Sequence, residues 1–554
     1  MLALSFAVPL LVLCAYWFFF IRADYYPSRD EFSLLVASTK MFHPAISTWF
    51  LEGYSRYFLS YPGLSHPATD FIRPGANLAY YVNSLLFGAN WSCYLLLSYF
   101  IQAGLVCITV KLALEALKLP RSLAVFAGVA VLLAPSFGWE QIYIPSFTID
   151  LLGAFFVMLA LHELWRSRNV TAWLLLAAAI FTKETTLFAP VMTALAVWLP
   201  IGKPSSIGRR FTASILWLTP IFVWMLLRHF AFHGGAGIYV FQNMALKGTL
   251  MNVLHGFLAW PFGTRSMQQS VRYRSLFFML NAAFWAAVFF AVVRWRRGKA
   301  SSEASSEITC MPALLLFSIG AMAMPVLLNL PQRFGASLYP LLFLTLATIA
   351  HAASDLTIRR LAVGALAAST LVAIYQKATD PLTLKESRAE WTLSRNYIQS
   401  IHAVRSPYLL LVDDSSGGFA APDLVARFAD FHGTLMRSNN IEGLMLDHCA
   451  GQPTVTKTSA DEGHLALTST LTPPCGYYAF DSLSPRELER GTDGLVTHPN
   501  DRVTLRIVPP ALQPLPPSAT PEMWGNLTVS LTSPVKDTVV LVPDLNTLTY
   551  HQLK

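Results

Sequence analysis

The chain has 554 residues, 54% of them apolar and only 13% charged, with a mean hydropathy of +0.46 and a formal net charge of +8. A soluble domain carries about 25% charged residues, so this composition excludes a single water-facing globule. The basic excess sits in short clusters between apolar runs and forms no continuous basic face, which sets nucleic acid aside as a partner.

In chain order, Met1 to Ile21 is apolar, with no basic start and no small-residue cleavage site, and is expected to be a retained first helix. A bilayer core needs about 20 apolar residues per helix, and runs near that length predict about eleven spans. They are expected at about 1–21, 91–116, 122–138, 148–165, 170–182, 185–200, 211–230, 275–293, 311–329, 337–353 and 361–377. The short pair around Lys183 resembles half-helices or re-entrant segments, which are tolerated only where protein or a water-filled cavity covers the backbone.

Alternate loops carry the basic residues: Lys118 and Arg121; Arg166 and Arg168; Lys203, Arg209 and Arg210; Arg294 to Lys299; Arg359 and Arg360. Basic loops stay in the cytoplasm. The expected topology therefore has the N-terminus cytoplasmic and the C-terminal part periplasmic or extracellular, in a multi-pass cell-membrane protein. The long, irregular loops fall on the outer side. Residues 22–90 form an aromatic-rich loop ending in an expected surface helix at about 74–88. A second long loop covers about 231–274.

After about residue 379 the charge content becomes normal. "YLLLVDD", "RVTLRIV", "NLTVSLT" and "TVVLV" predict strands and "PDLVARFADF" a helix, giving an α/β or mostly β soluble domain over residues 380–554. Cys449 and Cys475 lie in this part, either as a disulfide of an exported domain or as two thiols.

Ionisable residues at a membrane edge are costly and mark candidate chemistry. Asp30 and Glu31 follow the first helix; such a pair can serve as a base, hold a metal or cap a turn. Asp150 heads the fourth helix after a short loop containing Glu140. Lys183 and Glu184 interrupt an apolar run, and can neutralise each other or present a cation to phosphate. Arg73 and Arg333 lie in outer loops, where a guanidinium fork suits phosphate oxygens. The sequence contains no P-loop, no Rossmann fingerprint and no nucleophile elbow; His229 and His233 lie four apart at the end of the seventh expected helix, where interfacial histidines account for them as well as a metal does.

Taken in order, these residues resemble the GT-C superfamily of polytopic glycosyltransferases, within it the branch of protein O-mannosyltransferases and lipid A aminoarabinose transferases. The resemblance rests on Asp30–Glu31 after helix one and on "RPGANLAYYVNSLLFG". It continues through Asp150 heading helix four, the Lys183–Glu184 pair, and Arg333 before "LYP". It covers roughly residues 1–350, is moderately specific as an ordered set, and does not extend to the aromatic loop after Glu31 or to the C-terminal domain.

The resemblance implies a GT-C-like catalytic domain over residues 1–379 and a polyprenyl-phosphate sugar as donor. Transfer to an acceptor hydroxyl on a glycan, glycolipid or protein at the outer face is implied as well. By the same resemblance Asp30 is the base with Glu31 positioning it. Lys183, Arg333 and Arg73 bind the donor phosphate, and Asp150, Glu184 and Glu140 position the substrate. Some family members use a divalent cation; no dedicated ligand cluster is visible here. An oligosaccharide ligase or polymerase using a lipid-pyrophosphate donor, and a membrane transporter, are the alternative readings. Charges gathered at the outer edge and the absence of an internal repeat weigh against the transporter.

Overall fold

A computed structural model describes residues 1–26, 73–87, 90–134, 148–199, 206–231, 311–327, 336–353, 355–379 and the strands between 408 and 552, with single positions between 279 and 293 and between 385 and 399. The chain divides into two compact units. The first comprises Met1–Ala23, Ile72–Asn83 and Ser92–Ser387, and the second Asp24–Phe71, Ser84–Trp91 and Arg388–Lys554.

The first unit is helical. Its helices are α1 (Leu2–Tyr16), α2 (Pro74–Phe87, of which 74–83 belong here), α3 (Tyr94–Glu115), α4 (Arg121–Leu133), α5 (Thr148–Trp165) and α6 (Asn169–Thr182). They continue with α7 (Phe188–Ala196), α8 (Ile207–Ala231), α9 (Met311–Leu327), α10 (Leu338–Ala352) and α11 (Leu356–Thr379). Among the described residues four stretches are long and apolar enough to cross a membrane: Leu2–Ile21, Trp91–Glu115, Thr148–Trp165 and Ile207–Leu227. In the run expected at about 122–138 the helix Arg121–Leu133 ends at an extended Ala134, and residues 135–138 lie outside the described residues. The run expected at about 275–293 lies largely outside the described residues.

Burial separates inner from outer helices. Every residue from Ala336 to Ala350 is buried, so α10 passes through the middle of the unit, apolar on all sides. By contrast α1 exposes Leu4, Val8, Leu11 and Val12, and α8 exposes Phe211, Leu216, Phe222 and Leu226. Flanks this apolar are stable against hydrocarbon and not against water, so the unit is embedded in a membrane. Hydroxyls in the helices are satisfied locally: Thr109 donates to the Leu105 carbonyl, Thr345 to Leu341 and Thr348 to Leu344.

Lipid tails are as apolar as leucine, so helices in a membrane associate through close packing at small residues. On α4, a Cβ at Gly128 would lie 2.6 Å from Val110 Cγ2 and 3.3 Å from Val106 Cγ1 of α3. Gly128→Leu is therefore expected to force α3 and α4 apart and cost about 1–3 kcal/mol. A thermal melt of the purified protein in detergent checks this; an unchanged melting temperature would mean that the contact is not tight.

Helices α3 and α5 run side by side in the same direction. Ser98 meets Thr148 near their starts, Gly104 faces Phe155, and Glu115 Oε2 lies 3.5 Å from His162 Nε2 near their ends. There His162 Nδ1 also lies 2.9 Å from Glu163 Oε1, and Arg168 reaches the other Glu163 oxygen at 3.4 Å. This network closes one end of the pair. The candidate chemistry lies at the other.

The second unit carries two sheets. One has the order β11-β10-β1-β2-β5, where β1 (Tyr408–Asp414) pairs in parallel with both β10 (Thr538–Asp544) and β2 (Asn440–Asp447). A continuous apolar run such as "YLLLV" suits a central parallel strand. The edges β5 (Gly476–Phe480) and β11 (Thr549–Gln552) pair antiparallel. The other sheet, β3-β4-β9-β8-β7-β6, is antiparallel throughout. It contains β3 (Thr454–Asp461), β4 (His464–Thr470), β6 (Glu489–Gly491), β7 (Gly494–Asn500), β8 (Val503–Val508) and β9 (Leu527–Thr532). The expected helix "PDLVARFADF", Cys449 and Cys475 lie outside the described residues.

Candidate functional site

The site is built where α6 stops. Its last helical bond runs from the Lys183 N–H to the Ala179 carbonyl at 2.9 Å, and Lys183 itself is extended, with φ −153° and ψ 123°. A single 3-10 turn, Glu184–Leu187, follows before α7. Pro190 accounts for a boundary here. It lacks an N–H and its ring would strike the carbonyl four residues back in a continuous helix, but it is tolerated in the first turn of α7. The turn is closed by Thr186, whose hydroxyl donates to the Lys183 carbonyl at 2.7 Å.

The break turns two neighbouring charges to different partners. Lys183 Nζ lies 3.5 Å from Asp150 Oδ1, both side chains almost fully buried. Asp150 sits in the first turn of α5, where the helix dipole favours an acid. Glu184 pairs instead with Arg73, which grips both carboxylate oxygens: Nε donates to Oε2 at 2.7 Å and Nη2 donates to Oε1. Arg73 directly precedes Pro74, the first residue of α2, where a missing N–H is harmless. From sequence, Lys183 and Glu184 were expected either to neutralise each other or to present a cation. In the structure each engages a carboxylate or guanidinium from another element. Burial alone would raise the Glu184 carboxyl. The charges of Arg73 and Lys183 and the Arg73 hydrogen bond outweigh it and hold the group well below the ordinary carboxylate range, at about 2.

Two glycines allow this approach. A Cβ on Gly153 of α5 would lie 3.0 Å from Thr186 Cγ2 and 3.4 Å from Lys183 Cβ, and one on Gly75 of α2 would collide with the Thr182 hydroxyl. The start of α2 thus lies directly on the end of α6. Further along α2, the Asn83 side-chain amide donates to the Tyr94 carbonyl at the head of α3, at 3.4 Å. The segment Pro74–Asn83 therefore bridges the Lys183 break and the first turn of α3.

Arg73, Asp150, Lys183 and Glu184 thus converge as a buried quartet of two cations and two anions. Asp30, Glu31, Glu140 and Arg333 lie outside the described residues, and the quartet is defined without them. Among the described residues no group of three or more His, Cys, Asp or Glu could hold a metal ion. A neutral polar strip went unnoticed in the sequence: Ser98 bonds Thr148 across α3 and α5, and Gln102, one turn further along α3, is fully buried. Its signal was available, because two polar residues four apart in an apolar span lie on one face.

No family model and no curated protein matches the chain. Among solved structures it is similar to the crystal structure of ArnT from Cupriavidus metallidurans bound to undecaprenyl phosphate. Sequence identity is 12%, the match covers 82% of this chain and 96% of that one, and the TM-score is 0.44. A likeness this weak carries no weight in assigning the reaction.

Proposed function

We propose that this protein is a membrane glycosyltransferase of the GT-C type. It takes a sugar from a polyprenyl-phosphate donor and passes it to an acceptor hydroxyl at the outer membrane face. The observation that carries the reading is the buried quartet: two cations fixed by two carboxylates where α2, α5 and the α6–α7 break meet. Burying four charges in an apolar unit is costly even when each is paired, and ionisable residues within a membrane are by default functional candidates. A phosphate monoester leaving group justifies that cost. That group departs as a stable anion, so the enzyme needs cations aimed at the developing charge and no strong acid.

In this reading Lys183 stabilises the departing phosphate. Asp150 sets the position of its ammonium. Arg73, clasped by Glu184, adds positive potential and fixes the start of α2. Arg333 is a further phosphate ligand, Glu140 a substrate-positioning group, and Asp30 the base that takes the acceptor proton, with Glu31 beside it. The lipid tail lies against the apolar helices, and residues 380–554 form an extracytoplasmic domain that shapes acceptor access.

Purified full-length protein in vesicles, supplied with radiolabelled polyprenyl-phosphate sugar and extracted envelope acceptors, should release free polyprenyl phosphate together with labelled product. Asp30→Asn is expected to lower that rate by at least a hundredfold while the melting temperature stays unchanged. Near-normal transfer by the variant would remove Asp30 from its role.

A further inference from the structure

The polar strip beside the quartet has unmet capacity. Gln102 is fully buried in α3, and among the described residues neither its amide nitrogen nor its amide oxygen has a hydrogen-bond partner. Asn83, 1% exposed, satisfies its nitrogen at the Tyr94 carbonyl and leaves its oxygen without one. Buried amides are nearly always paired, and in a membrane no bulk water stands in for the partner. Both residues belong to one strip. Tyr94, Ser98 and Gln102 follow at successive turns of α3, Asn83 sits over Tyr94, and Thr148 closes on Ser98 from α5.

This strip adjoins the quartet, because Thr148 and Asp150 share the first turn of α5. Gln102 lies about 6 Å further along α3 than Ser98, one helical turn. The two places differ in chemistry. Arg73, Asp150, Lys183 and Glu184 are charged, whereas Asn83, Ser98, Gln102 and Thr148 offer only amides and hydroxyls. A carboxamide presents a donor and an acceptor side by side, which suits a hydroxyl that both accepts and donates.

We infer that Gln102, with Asn83, forms a hydrogen-bonding subsite for the hydroxyl groups of a neutral sugar carried by the lipid phosphate. The inference rests on the proposed function and deepens it. The quartet holds the phosphate; the neutral strip recognises what the phosphate carries. Gln102 would then set specificity without contributing to the binding of the bare lipid phosphate.

The test compares two lipids on the full-length protein in nanodiscs, polyprenyl phosphate and its neutral hexosyl derivative. Wild type is expected to bind both. Gln102→Leu should weaken the hexosyl lipid at least tenfold and polyprenyl phosphate less than twofold. Asn83→Leu should act in the same direction, and it serves as the second variant should Gln102→Leu fail to fold. An unchanged ratio of the two affinities in both variants would overturn the subsite while leaving the phosphate site standing. A raised melting temperature in Gln102→Leu with that ratio unchanged would assign the amide to a retained water and overturn the subsite equally. Wild type binding neither lipid would overturn the glycosyltransferase reading, and the subsite with it.

Discussion

Replacing Glu184 with alanine is expected to destabilise the helical unit by about 3–5 kcal/mol, the cost of removing one partner of a buried ion pair. The prediction follows from geometry. Arg73 spends two donors on Glu184, and its side chain is only 9% exposed. No water can replace the lost carboxylate without opening the contact between α2 and α6, which Gly75 makes tight. The charge of Glu184 also offsets that of Lys183 next to it, so the variant concentrates positive charge in the break. Combining Arg73→Met with Glu184→Leu should recover most of the stability, because an apolar pair of similar volume carries no desolvation cost. Thermal melting of the single and double variants in detergent distinguishes the cases. If Glu184→Ala melts like wild type, Arg73 has another partner of equal strength and the pair is not what anchors α2.

Exchanging Lys183 for methionine should have the largest effect on ligand binding. A hydrogen bond to a charged group contributes about 1.5–3 kcal/mol, so the loss of one predicts about 10- to 150-fold weaker binding of polyprenyl phosphate. The single variant leaves Asp150 buried beside an apolar side chain, which confounds stability with binding. Lys183→Met combined with Asp150→Asn removes that charge. The double variant is expected to fold, to melt close to wild type, and still to bind the lipid phosphate poorly. Retained affinity in the double variant would show that the ammonium does not face the phosphate.

Much of the helical unit was legible because hydrocarbon imposes a simple rule. A span must be apolar along its length and must satisfy its own backbone, so Thr148–Trp165 and Trp91–Glu115 stand out in the sequence almost to the residue. Boundaries were less legible where a break is local. The run expected at about 122–138 is one case, its helix ending at Leu133, whereas the stop at Lys183 was read correctly, the span expected at about 170–182 ending at Thr182. Strands such as "YLLLVDD" were readable from their own residues. The parallel neighbours of β1 were not, because they come from distant positions and their register depends on the whole sheet.

For the site, the sequence identified Arg73, Asp150, Lys183 and Glu184 as ionisable residues in costly places. It did not show which pairs with which. Adjacent residues at a helix break point in different directions, and only the extended conformation of Lys183 decides that Asp150 receives one and Arg73 the other. Gln102 escaped notice because a neutral amide carries no charge to draw attention, yet in an apolar core its unmet hydrogen bonds are informative in the same way.

The central claim is that the quartet receives a lipid-linked phosphate. An experimental structure of the full-length protein in nanodiscs with polyprenyl phosphate tests it most directly. The account predicts phosphate oxygens within about 3 Å of Lys183 Nζ, a charge-assisted contact, with Arg73 still clasped by Glu184 and the lipid tail along the outer helices. A phosphate seated elsewhere, for instance among Arg166, Arg168 and Lys118 at the other end of α3 and α5, with Lys183 unchanged against Asp150, would contradict it.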